Sequence, residues 1–279
     1  MKKQLTKLAL TATIALAITL TFTACEEKKK QDGTATEPAA ATETQEATQE
    51  VAASESEPSE EDKCPNAVTG NGTLSCGGQT YKTVKIGEQV WMAENLAYEA
   101  KGSKCFENGC YKESDDGEYI CNKLSESEIK ANCQKYGRLY DWKTATKACP
   151  SGWHLPSDNE WQTLANFVGG EKIAGKKLKA KSGWNNYAPC IKSDEGVCEE
   201  YGEEETGNGT DDYGFSALPG GLGESTGYFN DVGDYGYWWS ATESLSYNAY
   251  YRGMGYSYDH VYSSNLNKSD LLSVRCIKD

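Results

Sequence analysis

Ten cysteines fall between Cys64 and Cys276, and an eleventh stands apart at Cys25. In an exported chain an even set of this size reads as a disulfide framework, which constrains the fold more than local propensity can. Connectivity does not follow from sequence alone. Short separations suggest Cys64–Cys76, Cys105–Cys110, Cys121–Cys133 and Cys190–Cys198, leaving Cys149 with Cys276. Zinc is the competing use of so many thiols. It wants CxxC-type pairs with histidines in register, and the sequence contains none.

The first residues set the redox compartment. Lys2, Lys3 and Lys7 give a positive start to an apolar run from Leu8 to Phe22, which falls short of the roughly 20 residues a membrane-spanning helix needs. The run ends in Thr23-Ala24-Cys25, and small residues before a cysteine resemble the lipobox of bacterial lipoproteins, with Phe22 in place of the usual leucine. That resemblance implies lipid on Cys25 as the mature N-terminus. Glu26 rather than aspartate after it implies the outer membrane or cell surface. Ordinary secretory cleavage nearby is the alternative, and either route exports the chain.

Residues 1–25 are therefore read as a leader and 26–63 as an acidic tether rich in Thr, Glu and Ala, with twelve acids against four lysines. With almost no large apolar residue to bury, the tether cannot offset its ordering entropy and is expected to be disordered and extended by self-repulsion. Of the total charge of −14, the leader carries +3 and the tether −8, which leaves −9 on residues 64–279. That sign argues against nucleic acid or an anionic membrane surface as partner. Residues 64–279 are long enough to form one domain with a sizeable core.

Within the domain, Tyr81–Ala97 alternates apolar and polar residues on both sides of Gly87 and predicts a β-hairpin. Ser125 and Glu128 form a capping box for a short helix that Gly137 stops. In the next segment Trp142, Ala145 and Cys149 share a face, and Pro150 forbids continuation. The stretch CPSGWHLPSDNEW, from Cys149 to Trp161, concentrates a thiol, a histidine and two acids. It reads as a helix start: Ser157 caps, Glu160 reaches back, and Trp161, Leu164, Ala165 and Val168 recur with helical spacing up to Gly169-Gly170. His154 is then a packed loop residue rather than a base, and a disulfide-bonded Cys149 has no thiolate to act as nucleophile.

Beyond residue 200 the composition shifts to Gly, Tyr, Asn, Ser and Asp, and eleven of the eighteen tyrosines lie there. The segments around Trp238-Trp239, Asn248–Ser264 and Leu271–Asp279 read as short strands separated by turns.

Several motifs match a family. WMAENLAY, YGRLYDWKTATKACPSGWHLPSDNEWQTL, GNGTDDYGFSALPGG, GYWWSATE and SVRCIKD resemble, in order from about residue 81 to 279, the Fibrobacter succinogenes major paralogous domain. That family in turn resembles the C-type lectin-like superfamily. The resemblance implies an α+β, disulfide-stapled fold of two helices, short twisted antiparallel strands and long loops, with Cys149 bonded to Cys276. A disulfide closing so long a loop contributes about 4–5 kcal/mol in the chain-entropy model. The Glu-Pro-Asn, Gln-Pro-Asp and Trp-Asn-Asp triplets of calcium-dependent sugar-binding lectins are absent. Asn208, Thr210, Asp211 and Asp212 form the nearest oxygen-rich segment, a candidate for Ca²⁺ set against a plain polar turn.

Two functional readings follow. In the favoured one, the domain is a non-catalytic recognition or adhesion module for an extracellular glycan or surface protein, with Trp238, Trp239, Tyr250, Tyr251, Tyr256 and Tyr258 as the contacting aromatics and no cofactor required. The alternative is an enzyme. A formylglycine-generating-like site lacks its second C-terminal cysteine, since Cys276 is alone after residue 198. A glycosidase-like site needs two carboxylates about 5–10 Å apart, and no motif singles out such a pair.

Overall fold

The computed structural model describes residues 63–112, 119–193 and 196–279. The leader, Cys25 and the tether up to residue 62 lie outside the described residues. Among those described, no helix is long and apolar enough to cross a membrane.

The helices form where local chemistry specifies them. In α1 (Glu126–Tyr136) and α3 (Asp158–Phe167) both capping boxes are made: Ser125 and Ser157 each accept from the third helical amide, and Glu128 and Glu160 reach back to the cap amides. Asp141 caps the short α2 (Trp142–Ala148) by accepting from the Thr144 amide. The fourth helix, α4 (Glu171–Leu178), has no side-chain cap, and sequence reasoning did not anticipate it.

Strands dominate, at 39% against 17% helix, so the expected α+β, C-type lectin-like fold with two helices is corrected to a mostly β domain with four short helices. The cause lies in the second half of the chain. Its aromatic alternation builds one long ladder, Tyr235–Leu245 against Asn248–Gly255 against Tyr262–Asn267, in a seven-stranded sheet. A six-stranded sheet holds the Gly87 hairpin, Gln79–Ile86 against Gln89–Met92, and its strand Ile277–Lys278 lies between Gln89–Met92 and Trp153–His154.

Five disulfides staple the domain: Cys64–Cys76, Cys105–Cys133, Cys110–Cys121, Cys149–Cys276 and Cys190–Cys198. The expectation of Cys105–Cys110 and Cys121–Cys133 is corrected. Asn108–Lys112 and Tyr119–Lys123 pair so that Cys110 stands directly opposite Cys121. Cys105 is left to reach Cys133 on α1. Short separation failed because strand pairing, not proximity along the chain, brought the sulfurs together.

The core has two large clusters and a small third one of Phe106, Leu139 and Phe229. One large cluster gathers Tyr140, Ala145, Tyr237, Trp239, Tyr251, Leu272 and Cys276, and the other Trp91, Trp161, Leu164, Phe215, Trp238 and Met254.

Candidate functional site

Trp238 and Trp239 are neighbours on one strand, so their side chains leave opposite faces of the sheet, one into each large core cluster. Both are wholly buried, and both indole N–H groups are spent inside: Trp238 Nε1 donates to Asn95 Oδ1 (2.8 Å) and Trp239 Nε1 to the Tyr140 carbonyl (2.7 Å). Their assignment as ligand contacts is corrected. They are the spine between the cores.

The tyrosines fare differently. Tyr235 and Tyr237 stack at 5.8 Å, Tyr235 meets Tyr256 and Tyr258 at 6.0 and 6.1 Å, Tyr258 meets Tyr262 at 6.1 Å, and Tyr187 adds its edge to Tyr256 at 6.0 Å. Tyr187, Tyr235, Tyr256, Tyr258 and Tyr262 are half-buried, and His260 is exposed. Of the expected contacts, Tyr256 and Tyr258 lie on this face. Tyr251 is buried beneath it against Tyr237. Tyr250, one residue away on the same strand, points to the opposite side of the sheet.

Sequence reasoning missed Tyr187, Tyr235, His260 and Tyr262. An available signal was the aromatic at every second position from Tyr256 through Tyr258 and His260 to Tyr262. Burial pushes the hydroxyls of Tyr237, Tyr258 and Tyr262 well above the ordinary tyrosine value, so all three remain neutral donors at physiological pH. Beneath the face, Asp231 Oδ2 accepts from Tyr237 at 2.7 Å, and burial raises that carboxyl despite the bond. Asp231 also holds a left-handed backbone, φ 70°.

Helix α4 fixes this face. Lys179, at its C-terminal end, is buried and donates from Nζ to the carbonyls of Gly255 (2.9 Å) and Tyr258 (3.1 Å), and burial pulls its ammonium down to about 8. Gly175 lets the tyrosine loop approach, since a Cβ there would lie 2.6 Å from the His260 carbonyl and 2.7 Å from that of Asp259.

The oxygen-rich segment proposed for Ca²⁺ serves the same helix. The amides of Gly209, Thr210 and Asp212 donate to the carbonyls of Ala180, Lys176 and Lys177, taking up acceptors at the end of α4. Asn208 Oδ1 accepts from the Trp184 amide, and both Asp211 oxygens bind Ser216. With Asn208 Oδ1 and both Asp211 carboxylate oxygens committed to the turn and Asp212 contributing its amide, the metal reading of Asn208, Asp211 and Asp212 is corrected to a helix-closing loop. Among the described residues no group of three or more His, Cys, Asp or Glu is placed to hold a metal ion.

The family model described as the Fibrobacter succinogenes major domain matches residues 84–278, which include α1 to α4, the long ladder and the whole tyrosine face. The chain belongs to this family. No curated protein and no solved structure matches it.

Two further features of this family domain bear on chemistry. The His154 ring is held between carboxylates, Nδ1 against Asp279 Oδ1 (2.7 Å) and Nε2 against Glu160 Oε1 (2.9 Å). Partial burial works against the imidazolium, but the bonds to Asp279 and Glu160 outweigh it and raise the ring's pKa. Glu160 is itself the capping-box partner of Ser157. His154 therefore ties the strand Trp153–His154 to the start of α3 and to Asp279.

A cleft of about 600 Å³ includes Gln79, Lys82, Glu94, Asn95, Gln134 and Lys135 in its wall. Behind it Asn95 Oδ1 accepts from both Trp238 Nε1 and the buried Arg275, whose guanidinium also donates to the Phe215 and Ser216 carbonyls. This network joins three of the family motifs, those containing Asn95, Trp238 and Arg275.

Proposed function

We propose that this family member is a non-catalytic recognition module, a cell-surface or periplasmic lipoprotein anchored by lipid on Cys25, with the outer membrane or cell surface preferred, and spaced from the membrane by its acidic tether. Its tyrosine face contacts an extracellular glycan or a surface protein. One observation carries the reading: five half-buried tyrosines and an exposed histidine form a continuous, mutually packed surface, anchored by α4 and the long ladder. Tyrosine supplies large contact area and a polar tip at low entropic cost, and a rigid platform loses little further freedom on binding.

Full-length protein in detergent, applied to arrays of glycans and of surface proteins with and without calcium, tests the reading. Specific binding that disappears in Tyr256→Ala/Tyr258→Ala is the expected result. Binding that survives both substitutions removes the face from the function. Cys25→Ser should release the protein from membrane fractions or leave an unprocessed precursor.

A further inference from the structure

We infer that the tyrosine face takes an uncharged polysaccharide and rejects anionic ones, an inference that rests on the recognition reading above and names its ligand class.

The first ground is how the rings are presented. Tyr258 presses its phenol onto the backbone of Gly255, where a Cβ would lie 2.5 Å from Cζ. His260 stacks on Tyr258 at 4.2 Å with 13° between the planes. His260 is exposed, so its imidazole carries this stack out to solvent. Tyr262 covers Gly253 in the same way. The outermost ring of such a stack, here His260, offers a flat face to the C–H face of a pyranose, and the phenol hydroxyls at its edge match the hydroxyl rim.

The second ground is charge. Glu205 accepts from the Tyr187 hydroxyl at 2.9 Å, and Asp234 accepts from Asn185 at 3.0 Å beside Tyr256. Asp259 acts on Tyr187, and Asp231 lies under Tyr237. Lys179 and Lys176 are both spent on backbone carbonyls, Lys179 on Gly255 and Tyr258 and Lys176 on Asn208. Carboxylates accept hydroxyl protons from a neutral sugar and repel uronate or sulfate groups, which is selection by repulsion as well as by contact.

The third ground is what the face lacks. The exposed large hydrophobic residues of the described chain are Val68, Ile120, Phe167, Ile173, Ile191, Val197, Tyr201, Leu245 and Tyr247, and none belongs to the face. A protein partner wants an apolar centre with a polar rim. Here aromatic area is interleaved with hydroxyls and edged with acid, which suits a sugar chain.

Affinity electrophoresis of the full-length protein in detergent, through gels containing a glucan, a galactomannan, a xylan or polygalacturonate, tests the inference at low salt. The expected result is retardation by at least one neutral polymer and none by polygalacturonate. Tyr256→Ala and His260→Ala should each weaken the neutral interaction about tenfold or more while lowering the melting temperature by no more than about 4 °C, and Leu245→Ala leaves the interaction unaltered. Retardation by polygalacturonate alone, or by no polymer, overturns the inference, as does neutral binding indifferent to both substitutions. If no polymer binds but a defined surface protein does so through Tyr256 and His260, the ligand class falls while the recognition reading stands. If those substitutions alter neither kind of binding, both fall.

Discussion

Trp238 and Trp239 sit mid-ladder, where α2 packs over one face of the sheet and α3 over the other, whereas the run from Tyr256 to Tyr262 forms the connection beyond the end of the strand Asn248–Gly255. The two regions use the same class of side chain. In the first, every polar atom of the rings is satisfied by the interior, through Asn95 and the Tyr140 carbonyl. In the second, the hydroxyls bond to one another or remain near solvent, and one edge of the cluster is open. Position along one ladder, not residue type, separates a core from a surface able to recognise something. An aromatic-rich segment therefore says little about binding until its cross-strand neighbours are known.

The strongest way to break this comparison is to truncate a core ring. Trp239→Ala should cost about 3–5 kcal/mol in denaturant unfolding, and Trp238→Ala as much, because it also strips Asn95 of a donor. Tyr256→Ala should cost about 1 kcal/mol or less, with its effect in ligand binding instead. Equal losses at the two places would erase the distinction.

Gly175→Ala comes next. Alanine favours a helix over glycine by about 1 kcal/mol, yet the new methyl meets the Asp259 and His260 carbonyls, so a net loss of about 1–3 kcal/mol is expected. A stabilised Gly175→Ala variant would mean that α4 does not press on the tyrosine loop. Ser157→Ala, which removes the α3 cap, should cost about 1 kcal/mol while leaving the tyrosine face and its binding intact.

The smallest effects lie in pH, and they have opposite signs. Lys179 has a folded value of about 8, below its ordinary 10.5, so the unfolded chain binds more protons between these values and stability should rise with pH above about 8. Tyr237, Tyr258 and Tyr262, raised above 10, retain protons in the folded state and begin to oppose this above about pH 10. The rise is therefore cleanest between about 8 and 10 and should flatten in Lys179→Met. His154 is raised from 6.5, so its contribution is fully present below 6.5 and is lost as pH climbs through the folded value. His154→Gln should remove that decline. Urea midpoints across pH 5.5 to 10 check both.

Local features were legible and for a shared reason. The capping boxes at Ser125 and Ser157, and the hairpin turn at Gly87, depend on residues within a few positions of one another, so the sequence displays their complete chemistry. The even cysteine set was readable as a framework, but the partners of Cys105 and Cys121 depended on strand register. Helix α4 was hidden because Gly175 looks like a breaker, and its purpose shows only when Asp259 and His260 arrive from a distant loop. The Asn208–Asp212 segment looked like a metal site because the sequence does not reveal that its amides cap the carbonyls at the end of α4, or that its side-chain oxygens accept from Trp184 and Ser216.

By itself, then, the sequence determined the helix starts, the Gly87 hairpin and the membership of the cysteines in a disulfide set, because short-range hydrogen bonding and composition decide those. Tertiary structure alone decided that the domain is mostly β, which cysteines pair, and that of one aromatic population the tryptophans go inside while Tyr256, Tyr258, His260 and Tyr262 line an open face. Those outcomes depend on which surfaces meet across the sheet, and an alternation such as that from Tyr256 to Tyr262 does not say whether its rings will meet another strand or solvent.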